Sequence, residues 1–436
     1  MHLLFFRSVP GRLGLPLALL LAPPALLAQE PSPSASSLSV DALIEQIVAQ
    51  HPERQWYEAE IEAARAGQRG SSAWANPELS VDYGRKRVRG PGGNLADEGD
   101  TWAVAITQTF EWPGRLSLRK ALADQDVELA RLGLERFDRA LAAEARRLAF
   151  GLHAAQSQAV AVREVADRFA ALRETLVARD PAGIAAELDV RVIEAAELDL
   201  RHRATTAELA VQRTLLELNR LRGAPLDTPL RVTVSPPAWS DPPPFSDLFS
   251  TALANNFAFA ARRAELVRQG LEVDLARNER MPAVSVSPFV GSESGIERET
   301  VVGLSLSLPL PVSRRAASNE SAARARQRQA DVALAVARRD LERDLLVAAQ
   351  SFAARRADLP ADPPAQAETF RSAAALADRH YRLGAVPVGT YVELQRSYLD
   401  ALEALYTTES AVLDDALELE ALTGLTFVSS TSTPTP

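Results

Sequence analysis

Apolar and polar positions keep different rhythms along this chain, and each change of rhythm marks an element. From Val40 to about Ser72, Leu43, Ile47, Ala59, Ala63 and Ala66 recur at helical spacing among charged residues. Asn76-Pro77 stops that helix. The period then falls from about 3.6 to 2. Leu79, Val81 and Tyr83 alternate with Ser80, Asp82 and Gly84; after a Gly- and charge-rich loop, Trp102, Val104 and Ile106 alternate with Ala103, Ala105 and Thr107. This predicts strands over 77–87 and 101–110. From Arg115 to about Arg179 there is no Pro, and Gly occurs only at 133 and 151. Pairs such as Leu122/Leu129 and Leu141/Leu148 recur at the seven-residue interval of packed helices. A helix over 115–179 would be a rod of about 100 Å at ~1.5 Å per residue. Asp180-Pro181-Ala182-Gly183 breaks it, and a return helix follows over 185–222.

The plan is then repeated. Asn76–Gly84 returns in diverged form as Met281–Phe289, and internal duplication constrains the fold more than any single element. In the second copy Val302, Leu304, Leu306 and Leu308 alternate with Gly303, Ser305 and Ser307. Strands are predicted over 282–291 and 300–309, and helices over 316–382 and 389–423. The first of these helices is interrupted at Pro360, Pro363 and Pro364, read as a local bulge. It turns at Gly384-Ala385-Val386-Pro387. The copies close on Leu221-Arg222-Gly223 and Leu422-Thr423-Gly424. The expected division is therefore a first repeat over 40–235, a Pro-rich connector over 236–245 and a second repeat over 246–426. Residues 29–39 read as a linker and 427–436 as a disordered tail. Residues 1–28 read as a cleaved export signal: Arg7 and Arg12 precede the apolar run Leu13–Leu27, with small Ala28 before the cut.

All four strands are near ten residues with one apolar face. That length matches the ~9–11 residues of a transmembrane strand, and apolar-out, polar-in is the pattern of a water-filled barrel. A soluble sandwich alternates in the same way. Four strands cannot close, and an open edge in lipid leaves backbone groups unsatisfied at several kcal/mol each. Two chains would give eight strands with a filled interior; three would give twelve, wide enough for a channel. Symmetric closure would also join the helices into a cylinder.

Composition removes other classes. With 436 residues and 47% hydrophobic content the chain can bury a large core, and its net charge of −9 argues against a nucleic-acid partner. Absence of Cys excludes disulfides, thiolate catalysis and Cys-ligated metals. The five His (His2, His51, His153, His202, His380) have no ligand spacing. No catalytic signature, cofactor motif or metal site is visible, so the chain does not read as an enzyme.

Local motifs then resemble a known family, the TolC-type outer-membrane efflux proteins, over about Val40 to Thr426. Thr107-Gln108-Thr109-Phe110-Glu111-Trp112-Pro113-Gly114-Arg115 resembles the strand-to-helix junction of the heavy-metal, CzcC-like branch. Tyr381–Val388 is similar to the family's second periplasmic turn, and Thr390-Tyr391-Val392-Glu393-Leu394-Gln395-Arg396-Ser397-Tyr398 continues it in the style of that branch. The resemblance implies a mainly α fold with a small β part: a homotrimer whose long antiparallel helical hairpins form a periplasmic α-barrel tunnel, capped by a twelve-stranded β-barrel in outer-membrane lipid, four strands per chain. It also implies a periplasmic adaptor protein and an inner-membrane, proton-driven pump as partners, no cofactor and no catalysis.

The same resemblance assigns sites. The hairpin tips, Asp180, Pro181 and Gly183 and then Leu383, Gly384 and Val386, become adaptor-docking points; Gly at a helix end also simply permits φ > 0. Pro181 departs from the family pattern. Glu393, beyond the second tip, becomes a tunnel-entrance candidate, since a trimer makes a three-carboxylate ring that favours cations; a solvated helix-surface Glu is the competing reading, and Glu187 and Asp189 hold a related place after the first turn. Phe110, Trp112, Pro113 and Gly114 form the strand–helix junction. Arg85, Lys86, Arg87 and Arg89 either reach the outer surface, where they would pair with lipid phosphates, or sit in an ordinary solvated loop, and Tyr83, Trp102 and Trp112 fit interfacial girdles or a core. The function expected is a passive exit duct for divalent heavy-metal cations. Multidrug efflux or type I secretion by the same fold, and a poreless soluble coiled-coil scaffold, are the alternatives.

Overall fold

The computed structural model describes residues 37–178, 184–310 and 314–430. The first hairpin tip, with Asp180, Pro181 and Gly183, lies outside them. The chain opens with β1 (Ser37–Ser39), α1 (Val40–Gln50) and α2 (Pro52–Ser71). It continues through β2 (Glu78–Arg89), β3 (Leu95–Phe110), α3 (Arg115–Ala178), α4 (Ile184–Arg222) and β4 (Arg231–Thr233). The order then recurs: β5 (Pro237–Trp239), α5 (Phe245–Asn255), α6 (Phe257–Asn278), β6 (Val284–Glu293), β7 (Glu299–Ser307), α7 (Arg315–Asp358), α8 (Pro363–Arg382), α9 (Val388–Thr423) and β8 (Val428–Ser430).

Two expected helices are each split. The run over 40–72 breaks at His51, because Pro52 has no N–H to donate and starts a new helix instead. His51 caps it, its Nδ1 accepting from the Glu53 amide at 3.3 Å. The run over 316–382 is not a bulged helix. Leu359 leaves α7 with extended backbone (ψ 129°), and Asp362 caps α8 by accepting from the Ala365 amide at 3.0 Å. With Pro363 and Pro364 in its first turn, α8 begins where missing N–H groups cost nothing.

The segments expected to be featureless also hold structure. The linker ends in β1, which pairs in parallel with β4, and the connector carries β5, antiparallel to β8 of the expected disordered tail. Phe427 and Val428 are 2% and 4% exposed. Phe352 lies between Trp239 and Phe427, ring centroids 6.4 and 6.3 Å away. Apolar burial there holds three residues of tail that the polar composition beyond them concealed.

The four long strands form one antiparallel sheet in the order β2-β3-β6-β7, so β2 and β7 are open edges. β3 begins earlier than its alternation indicated because Leu95–Asp100 keeps pairing with Arg85–Arg89. The core lies elsewhere, among the helices. α9 is its spine, burying Tyr391, Gln395, Tyr398, Leu402, Leu405, Val412 and Leu419 at three-, four- and seven-residue steps. Phe169, Ile193 and Tyr391 pack in the tip half; Leu345, Phe352 and Leu419 pack near β5 and β8; Leu43, Ile47, Leu152 and Leu218 pack under α1. No described helix is long and apolar enough to cross a membrane.

Candidate functional site

Register fixes which residues share a face of the sheet. One set of rows runs Leu79–Ile106, Val81–Val104–Val290–Val302 and Tyr83–Trp102–Ser292–Thr300. The other runs Ser80–Ala105–Phe289–Gly303, Asp82–Ala103–Gly291–Val301 and Glu78–Thr107, beside Ser287–Ser305. Thr107 and Ser287 hydroxyls meet at 2.8 Å and Thr109 and Ser285 at 2.9 Å, so the second face is a hydroxyl-lined one. The first face is uncovered: Val302 is 78% exposed and Val81 66%. A row of large apolar side chains left open in a chain that buries its helical core this well marks a face made for a non-aqueous neighbour.

Aromatic residues bound that face at both ends. Trp102 pairs with Tyr83 near the hairpin turns; Phe110, on the same side eight positions along β3, packs edge-to-face on Trp74, 5.6 Å between centroids. Eight residues at ~3.3 Å span about 26 Å of strand, close to the ~25 Å apolar band between the girdles of outer-membrane barrels. Both hairpin turns lie at the end away from the helices, and the β6–β7 turn is tied to β3 by the Ser294 amide donating to the Asp100 carbonyl at 2.9 Å.

At the other end the strand hands over to α3. Gly114 takes φ +87°, a left-handed turn that points Arg115 inward. Arg115 is 7% exposed and donates to the carbonyls of Asn278 and Met281 at 3.2 and 2.7 Å, and to Asn278 Oδ1 at 3.1 Å. Asn278 Nδ2 donates back to the Pro113 carbonyl at 3.0 Å. A cation thus satisfies the exposed carbonyls at the end of α6, clamping the two halves of the chain together. Phe110 and Trp112 are 43% and 42% exposed beside this clamp.

The second tip is a glycine-terminated helix end. Gly384 (φ +75°) donates to the Tyr381 carbonyl at 2.9 Å, and Ala385 to that of His380 at 3.0 Å. Leu383 is 74% exposed, Val386 half-buried. Behind the turn Tyr391 is fully buried, stacked between Tyr381 (4.7 Å) and Phe169 (5.2 Å). Its hydroxyl donates to Asp378 at 3.1 Å, and Arg382 pairs with Asp378 at 3.0 Å. Burial, then the Asp378 charge, raises the Tyr391 pKa, so the phenol stays protonated. Glu393 stands on the exposed side of α9, opposite this core.

Residues 248–425 match the family profile of the outer membrane efflux protein. This part of the chain is similar to the outer membrane efflux protein family. Solved structures share the chain's fold at low identity: CusC (15% identity, TM-score 0.70, 89% of this chain and 92% of that one), a Pseudomonas aeruginosa membrane protein (19%, 0.73, 90% and 92%) and the Campylobacter jejuni CmeC outer membrane channel (14%, 0.70, 92% and 90%). No protein of curated function matches in sequence. The matched family and CmeC are outer membrane proteins.

Two features of the helical part escape sequence reading. An ion-pair ladder ties α4 to α9: Asp199 meets Arg203 and Arg396 at 3.4 Å each, and Arg203 reaches Asp400 at 2.8 Å. The i,i+4 pair is legible in sequence; the cross-helix partners are not. A cleft of about 1100 Å³ opens beside α3, β4 and α8, and a smaller chamber next to it is lined by His153, Trp239, Pro364 and Glu409. Burial lowers the His153 pKa and raises that of Glu409.

Proposed function

We propose that three copies of this chain close a twelve-stranded barrel over a continuous helical tunnel, and that the assembly is the passive exit duct of a tripartite pump for divalent heavy-metal cations. The observation that carries the assembly is the unfinished sheet: two open edges and a bare apolar face that a single chain cannot shield. Exposed apolar positions on α4 (Leu188, Leu198, Leu209, Leu216) and α7 (Val332, Val336, Val347) supply helical surfaces for neighbouring copies to cover. The cation cargo rests on the Trp112-Pro113-Gly114 junction and the Tyr391–Tyr398 run, which resemble the metal branch. The Leu383–Gly384 turn, apolar and exposed, is the docking point for a periplasmic adaptor coupled to a proton-driven inner-membrane pump, and Glu393 contributes to a carboxylate ring at the tunnel entrance.

Deleting the gene and plating on graded zinc, cobalt, cadmium and copper, with a dye and a detergent as controls, tests the cargo. Selective metal sensitivity is the expected result; sensitivity to dye and detergent alone would move the cargo to organic compounds. For the docking point, Leu383→Asp should abolish export while leaving an SDS-resistant oligomer, and persistent export would remove that tip from the docking surface.

A further inference from the structure

The outward face of the sheet changes character one step beyond its outer aromatic girdle. Along β2 the outward positions run Leu79, Val81, Tyr83 and then Arg85, Arg87 and Arg89. The first three are apolar or aromatic and the next three are all arginine. The inward positions at the same height are different: Lys86 is paired with Glu293 at 2.5 Å, and Glu299 stands opposite Glu293. A chain of net charge −9 has thus put its arginines on the outward side of this level and its β6 and β7 carboxylates on the inward side.

Arg85 and Arg87 are not loose. Arg87 Nε donates to Glu98 Oε1 at 3.1 Å, and Arg85 Nη2 is ion-paired with the same oxygen at 2.8 Å. Glu98 therefore splays the two guanidiniums side by side, and their side chains remain 64% and 63% exposed. Each engages Glu98 through one nitrogen, which leaves its other N–H groups for a further partner. Arg89 is exposed with no ion pair among the described residues. Asp100, opposite Arg85, is the second carboxylate of the row, so three guanidiniums face two carboxylates.

Depth selects the ligand. Arg85 is two positions past Tyr83, or about 7 Å of strand, and Arg87 and Arg89 follow at the same interval. This is the headgroup level of the leaflet on the hairpin-turn side, outside the cell. The anions at that level are the phosphates of the lipid A disaccharide. Guanidinium binds phosphate through paired, charge-assisted N–H···O bonds, and two held in parallel match one phosphate better than mobile lysines would. We infer that Arg85 and Arg87, preset by Glu98 and supported by Arg89, form a clamp for a lipid A phosphate of outer-leaflet lipopolysaccharide. The inference rests on the barrel reading of the sheet.

The test uses the full-length channel purified in detergent, its bound lipid read by native mass spectrometry. Hexa-acyl lipopolysaccharide, phosphatidylglycerol vesicles and inorganic phosphate serve as probes. Lipopolysaccharide should bind and resist displacement by the other two. Arg85→Gln/Arg87→Gln should weaken it at least about tenfold, the loss expected for one charge-assisted pair of bonds. Glu98→Gln keeps an acceptor oxygen between the two guanidiniums but removes the charge that competes with phosphate, and should strengthen binding two- to fivefold. Equal retention by wild type and the double variant, or equal displacement by phosphate, would overturn the clamp. Outer-membrane fractionation of the same proteins separates the two failures. If wild type is recovered in the soluble periplasm, the barrel itself falls; if it fractionates with the outer membrane yet lipid binding ignores Arg85 and Arg87, only the clamp falls.

Discussion

Val302 and Leu345 are both apolar residues in regular elements, yet one is 78% exposed and the other fully buried. The contrast extends to their regions. The helical part builds a core within one chain, with α9 as its spine, and leaves only scattered apolar positions such as Leu198 and Val332 exposed; the sheet buries almost none of its outward face and leaves two edges unpaired. Alternation and periodicity record only that a side chain will leave water. They do not say whether its own chain, another copy or lipid will receive it. Burial in the single chain answers that question, and the answer differs between the two regions.

The sharpest way to break the contrast is a charge on the sheet. Leu304, 69% exposed, sits near the middle of β7. If water were its environment, Leu304→Arg would cost almost nothing. In lipid, Arg at mid-depth costs about 2–4 kcal/mol per chain, and symmetric assembly applies it to every copy. We expect loss of the SDS-resistant, heat-modifiable oligomer and of outer-membrane recovery. A variant that assembles normally would show that this face is not lipid-exposed.

A smaller effect comes from the inward face. A Cβ on Gly303 would lie 2.6 Å from the Phe289 ring, which covers this glycine from the neighbouring strand. Gly303→Ala should destabilise the assembled barrel by about 1–3 kcal/mol through overpacking, read as a lower temperature for oligomer dissociation. Phe289→Ala in the same chain should restore most of the loss. If the double variant is no better than the single, ring contact is not the cause.

The elements were largely legible in the sequence, and the reasons for the misses are local. Leu79–Tyr83 and Val302–Leu306 announced their faces because period 2 is a strong signal over short runs. The breaks at His51-Pro52 and Leu359–Asp362 were visible as prolines, but their outcome depended on His51 and Asp362 acting as caps. The three-residue strands β1, β4, β5 and β8 are too short for a period, and only contact with Phe352 and its neighbours fixes β5 and β8. Local geometry was legible in the backbone turns at Gly114 and Gly384, whose positive φ a glycine signals. The site was not legible where partners are remote. Nothing near Arg115 in sequence points to Asn278, and nothing near Asp199 points to Arg396.

The weakest effect distinguishes the regions by pH, because the helical belt, unlike the sheet face, holds partly buried titratable groups in one chamber. His153 and Glu409 share its wall with Tyr406, and the rest includes Phe150, Trp239, Leu405 and Leu413. Burial opposes charge on both, so their signs are opposite. His153 has a lowered pKa: its contribution is intact above the ordinary His value of about 6.5 and is lost as pH falls through the folded-state value. Glu409 has a raised pKa: its contribution is intact below the ordinary value of about 4.3 and is lost as pH rises through the folded-state value. His153→Gln should therefore raise Tm at pH 5 and leave it unchanged at pH 8, whereas Glu409→Gln should raise Tm at pH 8 and leave it unchanged at pH 4. Shifts of about 1–3 °C correspond to the fraction of a kcal/mol involved in a chain of this size. Melting curves of the two variants that stay parallel to wild type across this range would mean the chamber is wet enough to hold both charges, and that the belt is less tightly closed than its burial implies.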